Sequence, residues 1–184
     1  MPPYRTITSN EEPKVIIDTN VLIAANGRDC PQVTPKCQLR TGQYLRDIKE
    51  NGIIVIDNQW LILKEYRNKV NQTGQPGIGD AFLKWVLTNQ TNSQRCQQVK
   101  IHPSEDNSFQ EFPDDTQLKK FDPSDRKFVA VALAAQDCPP IINAVDSDWA
   151  EFYEALTIYG ISIEFLCGEI VSPQTTQAQV PNPP

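Results

Sequence analysis

Short β-branched runs alternate along the chain with stretches of helical spacing. The runs are Lys14–Asp18 (KVIID), Ile53–Asp57 (IIVID), Gln98–His102 (QVKIH), Ile141–Asp146 (IINAVD) and Ile161–Leu166 (ISIEFL), each with the length and apolar density of a strand. Residues 58–71 (NQWLILKEYRNKVN) place Leu63, Tyr66 and Val70 at the three-and-four spacing of a buried helical stripe, thickened by Trp60, Leu61 and Ile62. Ala81–Leu87 (AFLKWVL) reads as a short amphipathic helix with Phe82, Trp85 and Val86 on its apolar face. In residues 121–136 (FDPSDRKFVAVALAAQ), Asp122 suits a helix cap, Pro123 the first helical position, and Asp125 the positive helix end. Phe128, Val129, Ala132, Leu133 and Ala135 then form a small-residue stripe suited to packing on a sheet. Strands alternating with helices predict an α/β fold with a parallel sheet covered by helices.

The two ends depart from this pattern. Residues 171–184 (VSPQTTQAQVPNPP) carry four prolines and no charge, so they bury too little apolar surface to offset their ordering entropy. They and residues 1–12 are expected to be disordered tails around one domain at 13–170, in which 71–120 is an expanded polar and helical segment. The 184-residue length fits a single main core. No apolar run approaches the ~18 residues of a membrane span, and Met1 to Pro13 hold no apolar stretch resembling a secretory signal, so the cytoplasm is the expected location.

Composition narrows the chemistry. The cysteines (Cys30, Cys37, Cys96, Cys138 and Cys167) are odd in number with no C-x-x-C pair, which predicts reduced, packed thiols. His102 is the only histidine, so a multi-histidine metal site is excluded and any metal chemistry must use oxygen ligands. A formal charge of −6 argues against nucleic-acid binding by a broad basic surface. It leaves room for a nuclease whose acidic site is neutralised by cations.

Three strand runs end in Asp: Asp18, Asp57 and Asp146. In open parallel sheets the ligand site lies beyond the carboxyl ends of the strands, so Asp18 and Asp146 would share one crevice if their strands are neighbours. Taken singly, such an Asp is more simply a turn or cap residue. Glu65, between Lys64 and Arg67, taken alone reads as a solvated helical residue, and the acids between Pro103 and Asp115 read as a solvated loop. Lys64, Arg67 and Lys69 share the Glu65 helix while Arg126 and Lys127 follow Asp125; taken alone these cations read as ordinary solvated surface, and the alternative is that they flank the acids and hold a phosphate backbone. Trp60, Tyr66 and Trp149 read as packing aromatics.

The segments VIIDTNVLIAA, LKEYRNKV, FDPSDRKFVAVALAA and NAVDSDWAEF, in that order, together resemble the PIN-domain nucleases, which include the VapC-type toxins. Asp-Thr-Asn-Val-Leu after a β-branched run is the most specific element. The resemblance spans roughly Val15 to Leu166 and implies a three-layer α/β/α sandwich with a central, mostly parallel sheet. It further implies RNA phosphodiester cleavage dependent on Mg²⁺ or Mn²⁺. The family's four acidic positions fall on Asp18, Glu65, Asp125 and Asp146, with Asp148 as an additional acidic position among the metal ligands. The polar residue beside the first Asp, which orders water and carboxylates, falls on Thr19 or Asn20. Arg67, Arg126 and Lys127 are the candidates for holding the RNA backbone.

The resemblance leaves several readings open. A solitary RNA-processing nuclease and the toxin of a toxin–antitoxin pair both fit, the latter bringing an antitoxin protein and a homodimer as partners. A catalytically inactive PIN-like module binding RNA or a protein is the alternative, although all four acids are present. Two other classes fit poorly. A phosphoaspartate phosphatase wants a second Asp where Asn20 stands, and a dinucleotide-binding module wants a Gly-rich loop where the chain reads TNVLIAANG.

Overall fold

The computed structural model describes residues 12–28, 30–71 and 76–173. The expected tails therefore lie outside the described residues at 1–11 and 174–184. The described chain runs on past 170, with Val171 N–H donating to the Cys167 carbonyl at 3.1 Å and Ser172 buried.

Five strands form the central sheet: β1 (Lys14–Ile17), β2 (Ile53–Asp57), β3 (Cys96–Val99), β6 (Ile141–Asn143) and β7 (Ile163–Phe165). Their order is β3-β2-β1-β6-β7 and every pairing is parallel. Each matches an expected run, and the third begins two residues earlier than expected, at Cys96. There the ladder with β2 pairs Ile54 with Cys96 and Asp57 with Val99, so register against β2, and not local composition, sets the boundary. Strands buried on both faces read as continuous apolar runs, and Ile16, Ile17, Ile54, Val55, Ile56, Ile141 and Ile142 are all buried. A two-stranded hairpin, β4 (Pro103–Ser104) with β5 (Ser108–Phe109), lies outside the sheet in the expected acidic loop.

Helices cover both faces, giving the expected three-layer α/β/α sandwich. Helices α1 (Thr19–Asn26), α2 (Pro35–Asn51) and α4 (Ile78–Asn89) pack on one another, while α5 (Arg126–Ala134) lies across β1, β2 and β6. Helix α3 (Leu61–Lys69) touches both α1 and α5, and the short helices α6 (Asp148–Glu151) and α7 (Tyr153–Thr157) connect β6 to β7. No helix among the described residues is long and apolar enough to cross a membrane.

Two features differ from expectation. The chain forms a turn over Asp122–Asp125, and α5 begins only at Arg126. The Asp122 carboxylate accepts Ser124 N–H at 2.8 Å and its carbonyl accepts Asp125 N–H at 3.0 Å, a local side-chain turn that competes with the helix. Cys37 and Cys167, expected to be reduced, form a disulfide across 130 residues of sequence. The fold brings the first turn of α2 and the turn after β7 to a Cα separation of 5.4 Å, within bridging range, and an odd cysteine count does not register one such pair.

Candidate metal centre

The sheet order carries the chain from β1 outward through β2 to β3, then back to β6 on the other side of β1. Between β1 and β6 the connection reverses direction, which opens a crevice at the carboxyl ends of these two strands. Asp18 follows β1 directly and Asp146 follows β6 by three residues. Asp125, at the N-terminus of α5, reaches the same place. One carboxylate oxygen from each of Asp18, Asp125 and Asp146 lies within 4.8 Å of the others, and Asp122, Asp125 and Asp148 form a second such group sharing Asp125.

Each acid is held by an identifiable local device. Asp18 caps α1, its Oδ1 accepting Asn20 N–H at 2.9 Å, and its Oδ2 accepts the indole N–H of Trp149 at 2.5 Å. Asn20 reaches across the crevice: its Oδ1 accepts Ala144 N–H at 2.8 Å, and its amide donates to Asn143 Oδ1 at 2.8 Å. Asn143 in turn donates from Nδ2 to the Asp146 carbonyl at 2.9 Å. The loop bearing Asp146 is thus tied to the turn bearing Asp18 through two amides. Asp148 N–H donates to Asp146 Oδ1 at 2.9 Å, fixing that carboxylate.

Glu65 sits beside this trio and in neither metal-competent group. Its Oε1 accepts the Thr19 hydroxyl and its Oε2 accepts Lys127 Nζ. Lys127 is buried, so instead of lying on the surface for a phosphate it neutralises Glu65 and donates to the Ser124 carbonyl. Arg126 is turned inward as well, donating to the Lys119 and Phe121 carbonyls and lying 5.0 Å from the Phe112 ring centroid. Arg67 alone of the three proposed backbone-binding cations is exposed.

Burial and crowding act on the acids together. Burial pushes Asp18 from 3.8 to about 7, with Asp146 and Glu65 adding like charge against the Asn20 and Trp149 hydrogen bonds. Asp125 is pushed to about 9, first by burial and then by the charges of Asp18, Asp146 and Asp122, with Lys127 opposing. Asp146 and Asp148 are also raised, chiefly by burial. Such a cluster favours protons or cations.

Asp57, the third strand-terminal Asp, serves local structure. Its carboxylate accepts N–H groups of Gln59, Leu61 and Ile62 at 2.8–2.9 Å and so starts α3. Two residues of the centre escaped sequence reasoning. Trp149 is fully buried against Phe121 and Phe128, as a packing aromatic should be, but a buried indole N–H needs an acceptor, and that requirement was the available signal. Asn143 is a fully buried polar residue in an otherwise apolar strand run. Comparison with family models, with curated proteins and with solved structures finds no match in any of the three.

Proposed function

We propose that the protein is a divalent-metal-dependent ribonuclease of the PIN-domain kind, hydrolysing RNA phosphodiester bonds at the centre built by Asp18, Asp125 and Asp146. The observation that carries the proposal is the convergence of these carboxylates within 4.8 Å at the point where the sheet reverses direction. The donor set is all oxygen, which suits a hard cation such as Mg²⁺ or Mn²⁺, and its burial and self-repulsion are relieved by positive charge. Asp18, Asp125 and Asp146 would hold the metal, with Asp122 and Asp148 adjoining through Asp125. A bound cation there supplies a more acidic water and polarises the phosphoryl oxygens. Glu65, fixed by Thr19 and Lys127, borders the centre and orients the water, while Asn20 and Asn143 hold Asp146 against Asp18. The cytoplasm belongs to the same proposal. There the Cys37–Cys167 bridge would meet a reducing thiol pool, and thiol titration of freshly isolated protein measures whether it persists.

The second reading is a module that binds RNA or a protein without cutting. One observation favours it: Lys127 already neutralises one of the four acids the resemblance marked. Both readings meet in one experiment, cleavage of total cellular RNA with and without Mn²⁺ by the wild type and Asp18→Asn. Cleavage that requires metal and disappears in the folded variant supports the nuclease. Cleavage surviving in Asp18→Asn would refute the centre. Mn²⁺ binding by calorimetry without cleavage of any RNA in the pool would favour the binding module.

A further inference from the structure

Helix α3 presents different chemistry on two sides. Successive helical residues point about 100° apart, so while Glu65 borders the acidic centre, its neighbour Lys64 faces away, in line with Trp60 and Arg67. Trp60, Leu63, Lys64, Arg67 and Gln90 line a groove of about 460 Å³, within the size range of small-ligand sites. Trp60 is 37% exposed. Its backbone is left-handed, with φ 65°, a conformation that strains a bulky residue. The Asp57 carboxylate enforces it by gripping the N–H groups on both sides of Trp60. Nearly two-thirds of the Trp60 surface is buried, which offsets the strain, and its exposed remainder lines the groove.

Charge indicates what lies against this ring. Among the described residues, Lys64 and Arg67 have no carboxylate within ion-pair distance, a state they share with most of the lysines and arginines. On a chain of net charge −6, an aromatic face flanked by two unpaired cations is complementary to a base joined to phosphates. Trp60 follows β2 at the carboxyl edge of the sheet, and β2 is the parallel neighbour of β1, which bears Asp18.

We propose that this groove, on the side of α3 turned away from Glu65, holds single-stranded RNA, one base stacking on Trp60 while Lys64 and Arg67 take the adjoining phosphates. The proposal rests on the ribonuclease reading, and its test is run in EDTA so that binding is measured without cleavage. The probe is a fluorescein-labelled single-stranded RNA 12-mer of mixed sequence, followed by anisotropy. The wild type should bind, and Trp60→Ala should weaken binding roughly 5- to 150-fold, the equivalent of one base–aromatic stack. Trp60→Phe should retain affinity within about threefold, since a ring remains. Trp60→Gly removes the ring and the strain together, so it separates loss of stacking from loss of fold. Lys64→Ala and Arg67→Ala should each lower the slope of log affinity against log salt by about 0.7. Wild-type protein that fails to bind the RNA, or a folded Trp60→Gly that binds as wild type does, overturns the proposal. Metal-dependent cleavage with an unchanged KM in Trp60→Gly would sink the groove and leave the nuclease standing. Trp60-dependent binding without metal-dependent cleavage would do the reverse.

Discussion

Replacing Asp18 by Asn should change stability with a sign that depends on pH. Asp18 is buried and its carboxyl is pushed from 3.8 to about 7. A folded-state value above the unfolded one means that the stability associated with this group is fully present below about pH 3.8 and is lost as pH rises to about 7. With ~1.36 kcal/mol per pH unit, the loss in metal-free protein amounts to about 4 kcal/mol by pH 8. Asn escapes it because the amide does not ionise. The substitution has a separate, pH-independent cost. Asp18 accepts from both Asn20 N–H and the Trp149 indole, and an amide has only one oxygen, so one donor loses its acceptor at a cost of about 1–3 kcal/mol. The variant should therefore be less stable than wild type at pH 4 and more stable at pH 8, with the difference between them moving by about 3–4 kcal/mol. The constant cost cancels from that movement. Relief of repulsion on Asp125 acts in the same direction. Urea unfolding in EDTA at several pH values, followed by tryptophan fluorescence, measures it. A stability difference that does not vary between pH 4 and pH 8 would refute the account of a buried, proton-retaining Asp18.

Other perturbations test the frame around the centre. Asp57→Ala strips the acceptor from the start of α3 and should cost about 2–4 kcal/mol, read as a fall in melting temperature of roughly 4–16 °C; an unchanged value would show that the cap is dispensable. Reducing the Cys37–Cys167 bridge, which closes a loop of 130 residues, should lower stability by about 2–4 kcal/mol, measured by denaturant titration with and without reductant and with Cys37→Ser as control. Asp115→Asn should leave RNA cleavage near wild type, because Asp115 caps a short 3-10 helix and accepts from Tyr159; total loss in a folded variant would move the chemistry into the acidic loop.

Legibility from sequence followed the range of the interactions. β1, β2, β6 and β7 were readable because strands buried on both faces must be apolar along their length, and the Asp ending three runs was visible for the same reason, a polar stop after an apolar run. Helix α2 carries little signal in the sequence: Cys37, Leu45 and Ile48 mark only a thin stripe, and its buried Thr41 and Gly42 add no apolar signal. Helix-capping rules, which Asp122 and Pro123 satisfy, put the start of α5 three residues before Arg126, yet the same Asp closes a turn on Ser124. Local propensity does not choose between these outcomes; packing of the helix on the sheet does.

For this protein the sequence alone determined the alternation of strands and helices, and hence a parallel sheet with a candidate site at its carboxyl edge. Those properties depend on neighbours a few residues apart. The tertiary structure decided which acids meet. It set Asp57 apart as a cap and gathered Asp18, Asp125 and Asp146, because strand order is a matter of long-range pairing that no local pattern encodes. It also paired Glu65 with Lys127, 62 residues away, and bridged Cys37 to Cys167. Each of these contacts is fixed by distance in space, and distance along the chain says little about it.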